Sequence, residues 1–187
     1  MPFSAFIVVG PSGSGKGSLL RKLREEHPEF HLAVSCTTRA PRAEDKGAYT
    51  YKTREEFEAS IARGEFLEYD EHFGDYYGTP RSECVEGMTT IIEIETNGAE
   101  QVRKEIPDIP IFFITAPSIE ELERRIRRRE PDLPEEKVQK RLTKALSELK
   151  VGPQIANVVI LNETGEEGFE NAYRQLEDAV LSFVSPR

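Results

Sequence analysis

The segment Gly10–Ser18 constrains the fold of this chain more than any other, and its residues spell GPSGSGKGS. It directly follows the apolar run Ala5–Val9 and precedes a helical pattern over Ser18–Glu26. Spaced glycines between a strand and a helix let backbone N–H groups surround phosphate oxygens, and the helix N-terminus adds positive potential. Lys16 adds a side-chain charge that can reach a bound phosphate. The segment therefore predicts a phosphate-binding loop between a buried strand and a helix.

Short apolar runs alternate with helical patterns along the whole chain. These runs are Ala5–Val9, Leu32–Ser35, Thr90–Ile94, Ile111–Thr115 and Val158–Leu161. Continuous apolar runs are typical of parallel strands that are buried on both faces. The alternation predicts an α/β fold, a doubly wound parallel sheet of the P-loop NTPase type.

Two Ser/Thr-x-x-Glu pairs mark predicted helix starts, Thr53 with Glu56 and Ser118 with Glu121. In such a capping box each side chain binds a backbone N–H that the helix leaves free. We therefore expect helices to begin directly after Thr53 and Ser118.

Two stretches do not fit the strand and helix alternation. Residues 36–88 are rich in tyrosine, glycine and charge, and their apolar residues are too scattered for another central strand. We expect them to form an inserted subdomain. Residues 127–136 combine three arginines with two prolines, which predicts a mobile flap between two helices. At 187 residues, the chain is expected to form a single domain.

The overall charge limits the partners of this chain. Its formal net charge of −9 argues against a general nucleic-acid binder, which needs a basic face. No stretch approaches the roughly 20 apolar residues of a membrane span, and no basic leader precedes the first apolar run. Cys36 and Cys84 have no metal-ligand spacing. We expect a cytoplasmic protein that binds neither nucleic acid nor membranes.

The insertion contains side chains suited to a second phosphate and to a base. Ser35–Arg42 places Arg39 and Arg42 three residues apart, and two planar guanidinium groups can grip one phosphate. The segments Gly64–Tyr69 and Gly74–Thr79 add a carboxylate, a phenol and a hydroxyl.

With the phosphate loop, these segments resemble guanylate kinase, and the resemblance extends to about Asn162. It implies the ATP-dependent phosphorylation of GMP or dGMP with Mg²⁺, in a protein that is a monomer or a homodimer. It also implies a division of the chain into a core of residues 1–35, 89–126 and 142–187, an NMP-binding subdomain of residues 36–88 and a lid of residues 127–141.

The resemblance further implies the site residues. The ATP-binding loop would be Gly10, Pro11, Ser12, Gly13, Ser14, Gly15, Lys16, Gly17 and Ser18, with Ser18 or backbone-bound water completing the Mg²⁺ shell. The acceptor phosphate would be held by Arg39, Arg42, Tyr49 and Tyr77, and the base by Ser35, Glu68 and Thr79. Glu93 and Glu95 complete the predicted GMP site. The predicted catalytic residues are Lys16, Arg125, Arg129 and Arg141.

The chemistry of guanine agrees with the assignments of Glu68 and Thr79. Guanine presents N1–H and N2–H₂ donors beside an O6 acceptor, so a carboxylate can accept from the donors while a hydroxyl donates to O6. Adenine has the reverse polarity at position six. A buried carboxylate facing acceptors is unpaired, and such mismatches discriminate between substrates by about 10⁴.

The predicted helix after Ser118 carries a run of arginines. Solvation is the usual meaning of such a run, and nearby glutamates can pair with some of its members. Arg125 and Arg129 are four residues apart and share a face. The resemblance leaves the other arginines as surface charges, namely Arg124, Arg127 and Arg128.

Several positions differ from the usual pattern. Glu93 and Glu95 stand where the family usually has two aspartates, and Gly17 replaces the Ser or Thr of the strict motif, as in kinases of nucleoside monophosphates. Two alternative functions stay open. One is a catalytically silent guanylate-kinase-like module that binds proteins, and the other is a kinase for another phosphorylated acceptor, such as a modified purine nucleotide or a sugar phosphate.

Overall fold

A computed structural model describes residues 4–41, 47, 49–72 and 74–184 of the chain. The described strands are β1 (Ser4–Val9), β2 (Phe30–Leu32), β3 (Ser35–Thr37), β4 (Tyr49–Tyr51), β5 (Phe66–His72), β6 (Asp75–Pro80), β7 (Thr89–Glu93), β8 (Ile111–Thr115) and β9 (Val158–Leu161). The described helices are α1 (Lys16–Glu26), α2 (Arg54–Ala62), α3 (Thr96–Glu105), α4 (Ile119–Arg129), α5 (Glu135–Ile155) and α6 (Gly165–Val184), with a 3-10 turn at Arg81–Glu83.

The central sheet is parallel, with the strand order β2-β7-β1-β8-β9. One face packs on α1 and α6 through a buried cluster that includes Leu23 and Leu176. The other face packs on α3 and α5, where Val102 lies in the buried cluster and Leu149 packs against it. Helices on both faces confirm the predicted doubly wound α/β fold. They also explain the continuous apolar runs, because both faces of the inner strands are buried.

A smaller second sheet forms within the insertion, with the strand order β4-β3-β6-β5. Strands β3 and β6 are antiparallel, as are β5 and β6, while β3 and β4 are parallel. Helix α2 covers one face through Phe57, which stacks on Phe66 with ring centroids 4.4 Å apart. The opposite face is left for the candidate site.

The predicted strand Leu32–Ser35 is wrong, because the structure divides it between the two sheets. β2 ends at Leu32, and the Ala33 N–H donates at 2.9 Å to the Ile91 carbonyl at the edge of the central sheet. The next N–H, of Val34, donates to the Glu83 carboxylate at 2.8 Å instead of to a strand. Because the Glu83 side chain accepts this hydrogen bond, Val34 does not extend the central sheet, and the next residue, Ser35, starts β3 in the second sheet.

The predicted caps differ in their outcome. At α2 the capping box is complete, since Thr53 and Glu56 bind each other's backbone N–H. At α4 the Ser118 hydroxyl accepts from the Glu121 N–H at 3.3 Å, but the Glu121 carboxylate binds arginines. The predicted break at residues 127–136 is also too long, because α4 continues to Arg129 and α5 starts at Glu135.

Within the described part of the chain, no helix combines the length and the apolar character needed to cross a membrane.

Candidate active site

The loop Gly10–Gly15 connects β1 to α1 at the carboxyl edge of the central sheet. Gly10 has a φ of 149°, and a Cβ there would lie 2.1 Å from the carbonyl oxygen of Ile114 in β8. Gly15 has a φ of 91°, and a Cβ there would lie 2.2 Å from Nδ2 of Asn162. Both positions combine a left-handed backbone with close packing, so only glycine fits them.

Lys16 is the first residue of α1, and its ammonium group lies over the loop. Its Nζ donates to the Gly10 carbonyl and, at 3.5 Å, to the Pro11 carbonyl. Glu148 of α5 lies nearby and is only 7% exposed. Burial raises the pKa of Glu148 to about 7, although the charge of Lys16 opposes the rise. The predicted catalytic lysine therefore has a buried carboxyl group as a neighbour.

One side of the first turn of α1, at Gly17 and Ser18, is open to solvent. Ser18 is exposed there, and a Cβ on Gly17 would meet no atom within 4 Å. Ser14 is instead fully buried, and its Oγ has no hydrogen-bond partner among the described residues. Buried hydroxyl groups nearly always have a hydrogen-bond partner, so the Ser14 hydroxyl would be satisfied if a bound ligand supplied that partner.

The second sheet gathers the predicted base-binding residues on one face. Its register pairs Ser35 with Tyr49 and Glu68 with Thr79, and paired residues project to the same side. Tyr77 lies two residues before Thr79 and shares its side. Pairing of β3 with β6 brings both pairs to the face opposite α2.

The residues predicted to hold the acceptor phosphate lie together at one end of this face. The rings of Tyr49 and Tyr77 are 6.1 Å apart and meet edge to face. The Arg39 guanidinium lies 5.5 Å from the centre of the Tyr49 ring and donates to the Ala40 carbonyl at 2.8 Å. Arg42, the fourth member of the predicted set, lies outside the described residues.

Glu68 connects this face to the central sheet. Its Oε1 accepts a hydrogen bond of 2.7 Å from the Thr79 hydroxyl. Its Oε2 would lie 2.6 Å from a Cβ on Gly98, in the first turn of α3. Glu68 is 7% exposed, and burial raises its pKa to about 7 despite the hydrogen bonds from Thr79. Thr79 thus donates its single hydroxyl proton to Glu68. To donate to O6 of a base instead, the Thr79 hydroxyl must rotate away from Glu68.

Glu93 and Glu95 lie between the two halves of the site. Glu93 ends β7 beside Val8 of the neighbouring β1, and Glu95 is the N-terminal cap residue of α3. Glu95 accepts a hydrogen bond from Lys144 of α5. Burial is the largest cause of the raised pKa of both Glu68 and Glu148, and the negative charge of Glu95 adds to the rise in both. Glu95 is therefore close to the predicted base-binding face and to the surroundings of the phosphate loop.

Arg125 is held by the phosphate loop and by the segment after β9. It donates to the carbonyls of Asn162 and Glu163 at 2.9 and 3.1 Å, and to those of Gly13 and Ser14 at 3.5 Å. Its side chain is only 13% exposed, and a salt bridge of 2.6 Å joins it to Glu121 on the same helix. Arg124 and Arg125 both donate to the Glu121 carboxylate and lower its pKa to about 2, with Arg124 as the larger cause.

Arg129 and Arg141 meet at Glu130, directly after α4. Arg141 donates to the two Glu130 oxygens at 2.7 and 2.9 Å, and Arg129 donates to Oε1 at 2.9 and 3.1 Å. Arg129 also reaches the Ser12 hydroxyl at 3.4 Å. The Arg124 and Arg127 side chains are 56% and 43% exposed and pair with Glu121 and Glu123, as expected of surface charges.

The structure thus brings together most of the predicted site residues and adds others. Asn162 donates to the Ser14 carbonyl at 2.8 Å, a contact that the sequence did not predict. Glu148 was missed, although its spacing from Ala145 and Gly152 places it on the buried face of α5. Glu130 was missed as well, because a glutamate among arginines and prolines has no distinctive pattern.

A phosphate loop of this form, in a parallel sheet beside a second sheet that carries its own arginine and tyrosine side chains, is typical of a P-loop kinase. Residues 4–182 match the family described as guanylate kinase. The chain is a member of the guanylate kinase family.

Individual relatives agree with this assignment. A guanylate kinase from Thermosynechococcus vestitus is 43% identical, over 97% of this chain and 95% of that protein. A guanylate kinase from Synechococcus elongatus is 42% identical, over 94% of this chain and 96% of its own length.

Solved structures have the same fold. The crystal structure of guanylate kinase from Anaplasma phagocytophilum superposes with a TM-score of 0.72 at 28% identity, covering 99% of this chain and 88% of that one. Shikimate kinase from Acinetobacter baumannii has a TM-score of 0.51 at 13% identity, covering 98% and 96% of the two chains. The second likeness concerns the fold alone.

Proposed function

We propose that this kinase transfers the γ-phosphoryl group of ATP to the phosphate of GMP or dGMP. The observation that carries the proposal is the contact between Glu68 and Gly98, which joins the base-binding face to the carboxyl edge of the central sheet. The phosphate loop follows β1 at that same edge, next to β7. Donor and acceptor nucleotides therefore share one cleft. The names of the relatives support the same acceptor.

In this proposal the acceptor base is selected by Glu68. When ionised, its carboxylate accepts from N1–H and N2–H₂ of guanine in a buried position. Adenine offers no such pair of donors, and an unpaired buried carboxylate costs several kcal/mol, roughly 10³-fold or more in selectivity. Ser35 and Thr79 contact the base on the same face.

The acceptor phosphate binds where Arg39, Tyr49 and Tyr77 lie together, with Arg42 assigned to the same phosphate by its spacing. A guanidinium and two phenols can donate to several phosphate oxygens at once. No general base is needed, because the acceptor phosphate is already anionic.

Charge on the transferred group is stabilised by Lys16, Arg125, Arg129 and Arg141. Arg125 is already fixed to the loop carbonyls, whereas Arg129 and Arg141 bind Glu130 and must exchange it for phosphate oxygens. We propose that residues 127–141 act as the lid and residues 36–88 as the NMP-binding subdomain. Closure of both over the substrates excludes water that would hydrolyse ATP.

The residues around the loop fit Mg²⁺ that arrives with ATP. When bound, this ion neutralises charge on the phosphates. The described residues contain no group of three or more His, Cys, Asp or Glu side chains that could hold a metal ion, so phosphate and water oxygens complete the shell. The exposed hydroxyl of Ser18 is the protein ligand in this proposal. The acidic net charge, −9, counts against nucleic acid as a partner. In this proposal the protein is a cytoplasmic monomer or homodimer that acts on small nucleotides and binds no membrane.

An acceptor panel tests the function. ADP release is measured with MgATP and GMP, dGMP, AMP, UMP or ribose phosphates. We expect kcat/KM for GMP or dGMP to exceed that for AMP and UMP by at least about 10³. Turnover of ribose phosphates at a similar rate would instead indicate a kinase for another acceptor. Binding of GMP without any ADP release would indicate a silent module.

A further inference from the structure

Gly98 packs against one residue of the second sheet. It is buried in the first turn of α3, on the central sheet's side of the cleft. A Cβ at this position would lie 2.6 Å from Oε2, 3.1 Å from Cδ and 3.3 Å from Cγ of Glu68. All three of the nearest atoms thus belong to the side chain that is proposed to select the base.

The backbone at Gly98 gives no other reason for a glycine. Gly98 lies within a helix and, unlike several other described glycines, does not have a positive φ. Glycine is a poor helix former, so alanine would suit this backbone better. What glycine provides here is the space that the Glu68 carboxylate occupies.

A methyl group at position 98 would displace Glu68 more easily than α3. The Glu68 carboxylate is the end of a flexible side chain, whereas α3 is packed through Ala99 and Val102 against the central sheet. Glu68 is also held from the other side by the Thr79 hydroxyl at 2.7 Å. Its carboxylate therefore fits between Thr79 and Gly98, and a change at 98 moves the group that receives the base.

We propose that Gly98 is a specificity-determining residue, which positions the Glu68 carboxylate for guanine by leaving room for it. The proposal rests on the proposed function and names a further residue of the base site. It separates two acceptors that differ only in the N2 amino group, GMP and IMP. Displacement of Glu68 should weaken the contact with N2–H₂, so that GMP loses its advantage over IMP.

The test compares the unaltered chain with Gly98→Ala and with Glu100→Ala, an exposed change on the same helix. For Gly98→Ala we expect KM for GMP to rise about tenfold or more, and the GMP to IMP ratio of kcat/KM to fall by a similar factor. KM for ATP should change by less than about twofold, and Glu100→Ala should resemble the unaltered chain. An unchanged GMP to IMP ratio in Gly98→Ala would overturn the proposal.

A second comparison holds even where Gly98→Ala folds poorly or where GMP is no substrate. If the added methyl group meets Glu68, then Glu68→Ala removes the obstacle. Thermal unfolding of Glu68→Ala with and without Gly98→Ala should then give equal midpoints or a higher midpoint for the double variant. A large loss from Gly98→Ala in that background would overturn the proposed contact. Absence of GMP turnover in the unaltered chain would instead refute the proposed function and, with it, the role in specificity.

Discussion

Glu130 binds Arg141 through both of its carboxylate oxygens, at 2.7 and 2.9 Å. The same carboxylate accepts two hydrogen bonds from Arg129, so two arginines that are proposed to stabilise the transferred phosphate share one internal anion. These pairings lower the pKa of Glu130, with Arg141 as the larger cause. Because phosphate oxygens need the same donors, Glu130 competes with the substrate.

Glu130→Gln should therefore bind ATP more tightly. The pairs are partly exposed, and such pairs contribute about 0.2–1 kcal/mol, so we expect Kd for ATP to fall roughly twofold to fivefold at low salt. Titration of the protein with a non-hydrolysable ATP analogue measures the effect. Glu136→Gln removes an exposed carboxylate of the proposed lid that pairs with Lys140, and it should leave the affinity unchanged. Weaker binding by Glu130→Gln would mean that Glu130 orders the arginines instead of competing for them.

Lys16→Met should abolish turnover without unfolding the chain. Within the described part of the chain, the Lys16 ammonium donates hydrogen bonds only to the Gly10 and Pro11 carbonyls, so its loss removes a charge from the site and little packing. Loss of a charge that stabilises the transferred group lowers kcat by at least about 100-fold. ADP release and thermal unfolding measure the two effects, with the exposed Lys150→Met as the control. Normal kcat in a folded Lys16→Met variant would refute the role.

The acceptor site should lose activity as the pH falls below about 7. Burial raises the pKa of Glu68 to about 7, and only the ionised carboxylate can accept from both guanine donors. We expect kcat/KM for GMP to rise with pH up to about 7 and then to level off. In Glu68→Gln this step should vanish, while the titration of the GMP phosphate, near pH 6, persists. A step near pH 7 that survives in Glu68→Gln would assign it to another group.

Glu148 should make the fold less stable as the pH rises from 4.5 to about 7. Burial raises its pKa from 4.5 to about 7, so the folded state holds a proton that the unfolded state has released. The stabilising contribution is complete below pH 4.5 and is lost as the pH rises through about 7. In Glu148→Gln the fall in the free energy of unfolding between pH 5 and pH 8 should shrink by roughly 2 kcal/mol. Urea unfolding at both pH values measures it, and the exposed Glu25→Gln should leave the fall unchanged.

Gly152→Ala should destabilise the chain although alanine favours helices. A Cβ at Gly152 would lie 2.1 Å from a carbon of the Phe113 ring, in the buried contact between α5 and β8. Overpacking of this kind costs about 1–3 kcal/mol, whereas the gain in helix propensity is about 1 kcal/mol. We expect a net loss of up to roughly 2 kcal/mol in urea unfolding. Ser147→Ala on the exposed side of α5 is the control, and a more stable Gly152→Ala would contradict the tight packing.

Local patterns of the sequence were sufficient for the phosphate loop and for most central strands. Glycine positions, the lysine and the preceding apolar run depend on contacts within a few residues, and four of the five predicted strands agree closely with the structure. The exception is Leu32–Ser35, where the Glu83 carboxylate takes the Val34 N–H and the chain changes sheets. A partner that is 49 residues away leaves no local signal.

By itself, the sequence determined the α/β class, the phosphate loop and the residue types that suit a guanine nucleotide, because these depend on spacing and side-chain chemistry. Only the tertiary structure decided which groups meet: Glu68 against Gly98, Glu130 between Arg129 and Arg141, and Glu148 beside Lys16. The physical reason is that packing fixes the distances between side chains from distant segments. Those distances decide that Glu130 competes for two arginines, and that the missing Cβ of Gly98 leaves space for the Glu68 carboxylate.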